Sequence, residues 1–148
     1  MSYSIDVNIL VYASDEASPF HPRASEFLQE CSQRPDIFCL TWTTLMAYLR
    51  VITNPVIASR PFSPDEAMAN IDALLALPQV RLLTEQADFW TVFRDVAKGR
   101  AIRRNRVPDA HLAALLRHHG VRKLYTNDAD FRKYEFLDVE NPFAKKTR

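Results

Sequence analysis

The chain of 148 residues is long enough for one domain with a substantial buried core. Its 47% hydrophobic and 25% charged residues are ordinary for a globular protein, and a net charge of +1 excludes a global field that draws it to nucleic acid. The 2 glycines, Gly99 and Gly120, are too few for a GxGxxG turn or a P-loop, which excludes the usual dinucleotide and ATP cradles.

"YSID" opens as a strand, and "VNILVYA" either continues it or turns at once into a helix. "RASEFLQECSQ" reads as a helix and "IFCLT" as a strand. "TLMAYLRVIT" is a mostly apolar helix that has to stop before Pro55. "SPDEAMANIDALLAL" carries a helix-start signature, with Ser63 as cap, Pro64 at the first position and acids in the first turn. "VRLL" is a short strand, and "QADFWTVFRDVAKG" a helix that can end at Gly99. "VPDAHLAALLRHHG" is a further helix, with Pro108 at its start and Gly120 just past its end. "KLYT" is a strand, "FLDVE" supplies a last one, and the chain closes on a basic tail, "KKTR". Strands alternating with helices predict one three-layer α/β/α sandwich over residues 1–148, around a mainly parallel sheet of four or five strands.

Cys31 and Cys39 stand in apolar runs and form neither a CxxC pair nor a disulfide framework, so both read as small core residues. No stretch reaches transmembrane length, and the N-terminus lacks the basic-then-apolar pattern of a signal peptide. A reducing cytoplasm is the expected location. His118 and His119 close a helix, His21 and His111 have no HExxH-type spacing, and none is assigned to metal or catalysis.

In an open parallel fold, ligands bind outside the carboxyl ends of the strands. Asp6 lies near the end of the first strand, Asp128 and Asp130 follow "KLYT", and Asp109 sits in the first turn of a late helix. Each has a local explanation. Asp6 can cap the next helix, "NDAD" can make a turn, and Asp109 can meet the positive end of the helix dipole. Yet Asp109 heads the apolar stripe of Leu112, Ala113 and Leu116, where a carboxylate is costly unless something compensates it. Turn acids have no reason to meet, whereas a hard divalent cation needs oxygen ligands from several elements. "KGRAIRRNR" places Lys98, Arg100, Arg103, Arg104 and Arg106 immediately before that helix, either as a solvated loop or as contacts to phosphates.

"SIDVNILVYA", "PDAHLAALLRHHG" and "LYTNDADF", in that order, resemble the successive motifs of PIN-domain ribonucleases, VapC toxins of toxin–antitoxin pairs in particular. "TLMAYLRVITNP" resembles a helix found in one branch of these toxins. The resemblance implies a small α/β/α domain whose acids bind Mg²⁺ or Mn²⁺ and cut RNA. Carried over by motif, the metal ligands are Asp6, Asp109 and Asp128, with Asp130 beside them in the catalytic set. Asn8 and Thr126 are the supporting polar groups, and Arg103, Arg104 and Arg106 the candidate contacts to substrate. The family also implies a cognate antitoxin that holds the enzyme inactive, and a homodimer. One departure stands out: a Glu common in these domains falls on Ala47 or, failing that, Tyr48. Two functional classes therefore remain, a metal-dependent endoribonuclease toxin and a catalytically weakened module that binds RNA or antitoxin. A haloacid-dehalogenase phosphatase would carry a second Asp where Asn8 stands.

Overall fold

The computed structural model describes residues 1–145, so Lys146, Thr147 and Arg148 of the basic tail lie outside the described residues. The first strand, β1 (Ser2–Ile5), is buried almost throughout and ends on Asp6. Asp6 keeps extended dihedrals, φ −83° and ψ 158°, and its carboxylate accepts from the Val7 amide. That cap settles the alternative left open by "VNILVYA": the run is a helix, α1 (Val7–Ser14). Next come α2 (His21–Gln33), β2 (Ile37–Thr41) and α3 (Trp42–Ile52), the last capped by the Thr41 hydroxyl. Ser63 caps α4 (Pro64–Leu75) as its sequence predicts, accepting from the Glu66 amide at 3.1 Å.

The second half holds β3 (Val80–Leu83), α5 (Phe89–Ala97), α6 (Arg106–His118) and β4 (Lys123–Tyr125). A single 3-10 turn (Ala129–Lys133) and a short edge strand, β5 (Asp138–Glu140), complete it. Beyond α6 the chain must reverse, and Gly120 does this at φ 70°, a conformation that costs a residue with Cβ. The Val121 amide then bonds back to the Leu116 carbonyl at 2.8 Å, which aims the chain into β4.

The five strands run β3-β2-β1-β4-β5, and every neighbouring pair is parallel. The sheet is thus wholly parallel, at the upper end of the expected strand number. From β1 the chain steps outward to β2 and β3 on one side, then returns to place β4 and β5 on the other. The strand order reverses between β1 and β4, the point beside whose carboxyl ends open parallel sheets bind ligands.

Side chains alternate between two cores. Tyr3, Ile5, Phe38, Leu40 and Tyr125 face α1 to α4, meeting Ile9, Leu10, Phe27, Leu45 and Ile71. Cys39 and Leu124 face the opposite way, against Val96 of α5, Ala110, Ala113 and Leu116 of α6, Phe131 of the 3-10 segment and Tyr134 just after it. Both cysteines are buried free thiols, as their apolar neighbourhoods suggest. A buried Leu such as Leu116 contributes about 1.5–3 kcal/mol relative to exposure, so these two layers hold the sheet firmly beneath its carboxyl edge.

Candidate functional site

Asp6 leaves β1 at the reversal point, and the end of β4 lies directly beside it. The register sets Ile5 opposite Tyr125, and the Asp6 amide donates to the Tyr125 carbonyl at 3.0 Å. The residue after that strand, Thr126, is 1% exposed and becomes the hub of a hydrogen-bond network. Its hydroxyl donates to Oδ2 of Asp6 at 2.9 Å and accepts from the Asp128 amide at 3.0 Å. The Asn8 amide nitrogen, in the first turn of α1, also donates to it at 3.3 Å. The other oxygen of Asp6 accepts from the Val7 amide at 2.7 Å. Asp128 in turn caps the 3-10 segment, Oδ1 accepting from the Asp130 amide at 2.9 Å. The local roles expected of Asp6 and Asp128 are therefore real, and they coexist with convergence.

Asp109 reaches the same place from the other face of the sheet. Its helix starts earlier, at Arg106, with Asn105 at the cap position and no side-chain cap bond. Leu112, Ala113 and Leu116 of its stripe are all buried, and the carboxylate is half-buried above them. Burial pushes the Asp109 carboxyl up to about 6; the charges of Asp6 and Asp128 push the same way, Lys133 opposes them, and Asp130 adds a smaller push. Burial also raises Asp6, against the pull of its bonds from Thr126 and Val7, and the Asp128 charge adds to the rise. Asp6, Asp109 and Asp128 thus share one electrostatic field at the carboxyl edge, with Asp130 exposed at its rim.

The donor chemistry suits a hard divalent cation: carboxylate oxygens from three separate elements, flanked by a buried Asn8 Oδ1 with no hydrogen-bond partner. The carboxylates are nonetheless not drawn together. Among the described residues, no three His, Cys, Asp or Glu side chains are gathered closely enough to hold a metal as they stand. Like charges at a partly buried edge have no reason to close without a cation between them.

Helix α3 brings no acid. Ala47 is partly buried, and the Tyr48 hydroxyl meets Ser14 at 2.7 Å and Asn70 at 3.0 Å, on the α1–α4 side of the fold. The basic segment divides in two. Arg103, Arg104 and Arg106 are exposed and, with Ala101 and Asn105, line a small cavity at the start of α6. Arg104 holds a left-handed φ of 50°, a strained conformation for a residue with Cβ. Arg100 instead turns inward, donating to the carbonyls of Val96 at 2.7 Å and Lys133 at 3.0 Å. Its guanidinium lies 5.0 Å from the ring centroid of Tyr134. Sequence reading assigned no role to Lys133 or Tyr134. Lys133 follows directly on "NDADFR", so its place beside the acids was open to the same motif argument. Nothing in the pattern marked Tyr134.

Comparison with known proteins agrees with this fold. The PIN domain model matches residues 3–137. The chain is 41% identical to Ribonuclease VapC48 of Mycobacterium tuberculosis over 97% of its own length and 99% of that protein's. It is 34% identical to Ribonuclease VapC24 of the same organism, over 95% and 97% of the two chains. Among solved structures, M. tuberculosis VapC20, a Sarcin-Ricin loop cleaving toxin, superposes with a TM-score of 0.68 at 17% identity, covering 93% of this chain and 98% of that one. VapBC2 of Rickettsia felis bound to a promoter DNA fragment gives 0.67 at 18% identity, over 95% and 98%. The two structures share the fold, and the profile match with the closer sequence relatives shows the lineage: the chain belongs to the PIN-domain family.

Proposed function

We propose that the protein is a Mg²⁺- or Mn²⁺-dependent endoribonuclease, the toxin of a toxin–antitoxin pair. The observation that supports this reading is that Asp6 and Asp128 share Thr126 at the point where strand order reverses, with Asp109 of α6 inside their electrostatic field. Asp6, Asp109 and Asp128 hold the cation, and Asp130 at the rim completes the catalytic set. When bound, the cation lowers the pKa of a water and polarises a phosphoryl oxygen. Thr126 fixes the rotamer of Asp6 and the backbone of Asp128 together, and Asn8 braces Thr126. Arg103, Arg104 and Arg106 offer phosphate contacts on the α6 side of the acids. The VapC and VapBC relatives support RNA as substrate and a cognate antitoxin as partner; we add a homodimer as the working assembly. Among the described residues no helix is long and apolar enough to cross a membrane, which agrees with a cytoplasmic enzyme.

A second reading rests on Ala47. With no carboxylate from α3, the centre has one acid fewer than many relatives, and a module that binds RNA or antitoxin without cutting fits that loss. The deciding experiment compares purified protein with Asp6→Asn in an RNA-cleavage assay with Mg²⁺, Mn²⁺ or EDTA. Cleavage that needs the cation and disappears in Asp6→Asn supports the nuclease. RNA binding without cleavage in either cation assigns the binding module.

A further inference from the structure

Trp90 is 65% exposed on α5, yet its indole is held in place. It lies over Phe93, with ring centroids 5.5 Å apart and planes 12° from parallel, and Phe93 packs against the core beneath. Such a stacked pair fixes one face of the indole and leaves the other to solvent. Arg94, four residues on, shares that helical face, and Lys98 closes the helix about 12 Å from Trp90. The acids of this region are engaged by α6: Asp88 meets His118 at 3.0 Å, Asp95 meets Arg117 at 2.8 Å, and Glu85 meets His111. Among the described residues no carboxylate pairs with Arg94 or Lys98, and both are exposed. The end of α5 is tied to the acid edge by Arg100, which joins the Val96 and Lys133 carbonyls. Just beyond come Arg103, Arg104 and Arg106 with their cavity. One strip thus runs from an open aromatic face, through unpaired cations, to the loop before Asp109. A second copy of the chain meeting this face would set its cations against their own kind, which opposes association. A polyanion that carries flat bases complements both the charge and the ring.

We propose that the outer face of α5 is a binding strip for single-stranded RNA, on which Trp90 stacks an unpaired base while Arg94 and Lys98 contact the phosphates flanking it. The inference rests on RNA as the substrate, and it needs no metal ion and no share in bond cleavage. It also names the kind of RNA: one with an unpaired segment, since the bases of a duplex are stacked on each other and cannot reach an indole.

The test is binding in EDTA, where the acid centre has no cation, of a short single-stranded RNA of mixed sequence and of the same oligomer built with abasic spacers. Wild type is compared with Trp90→Ala, Trp90→Phe and the pair Arg94→Gln with Lys98→Gln, all changes at exposed side chains. We expect Trp90→Ala to lose about five- to 150-fold in affinity for the RNA, Trp90→Phe to keep most of it, and the abasic oligomer to bind wild type and Trp90→Ala alike. The charge pair should shallow the salt dependence by about 0.7 per lost contact. Equal RNA affinity in Trp90→Ala and wild type overturns the strip, as does a wild-type protein that binds no RNA. Equal weakening toward both oligomers, with wild-type dimers falling to monomers in sedimentation, gives the face to a second copy and overturns it too. Trp90-dependent binding without cleavage in Mg²⁺ or Mn²⁺ sinks the nuclease reading and leaves the strip standing. Cation-dependent cleavage with Trp90→Ala binding as wild type sinks the strip alone.

Discussion

Asp109→Asn should make the metal-free protein more stable while destroying its response to cations. The carboxyl is raised from 3.8 to about 6 because it is part-buried among Asp6 and Asp128. A carboxyl raised in the folded state binds its proton more tightly there than in the unfolded chain. Its favourable contribution is complete below 3.8 and is lost as pH rises through about 6, so at neutral pH the ionised group weighs against folding. A shift of about two units corresponds to about 3 kcal/mol, which partial exposure reduces to roughly 1–2 kcal/mol. For a chain of this size that is roughly 3–6 °C in melting temperature. Thermal melts in EDTA between about pH 4 and 8 should therefore show no advantage for Asp109→Asn at the acid end, and a growing one through pH 6. Adding Mn²⁺ to a hundred times its Kd should then raise wild type by about 2.7 kcal/mol and leave the variant nearly unmoved, reversing their order. An Asp109→Asn protein that melts below wild type in EDTA at neutral pH would refute the crowded-acid account and return Asp109 to a purely helix-stabilising role.

Arg103→Glu with Arg106→Glu should weaken RNA binding far more at low salt than at high salt, and shallow the salt dependence by about 0.7 per lost single-strand contact. Measuring antitoxin affinity on the same protein separates the competing idea: lost antitoxin binding with normal RNA cutting would take these arginines out of the substrate path. Thr126→Val removes a hydroxyl that serves Asp6, Asp128 and Asn8 at once, and should cost about 1–3 kcal/mol by leaving buried groups unpaired. Calorimetry in EDTA checks this, and an unchanged melting temperature would mean that the network contributes nothing to the fold.

The layout of the fold was legible because its signals are local. Short apolar runs, the Ser63 cap with Pro64, and Gly120 past α6 each mark an element regardless of what it packs against. Strand order then placed Asp6 and Asp128 at one edge, since a parallel sheet has only one carboxyl side. What stayed hidden depends on direction in three dimensions. Arg100 and Arg103 are neighbours in one basic run, yet the first points into the core and the second into solvent. The unpaired Tyr134 hydroxyl is likewise invisible in a string of letters, because an orphan is defined by what fails to surround it. The missing acid of α3 was the opposite case: Ala47 was readable by position, and the structure adds that the neighbouring Tyr48 faces away and cannot substitute.

The bond from Thr126 to Asp6 spans 120 positions of sequence. Because β1 lies in the middle of the sheet, its β4-facing side stays open until the ribosome has made almost the whole chain. At about 5–20 residues per second, the first acid waits on the order of ten seconds for its partners. A nascent chain, or any fragment released before β4, therefore carries Asp6 without Thr126 or Asp128 and holds no assembled acid centre. If the finished protein cuts RNA, synthesis order alone keeps it harmless to the messenger and ribosome that are producing it.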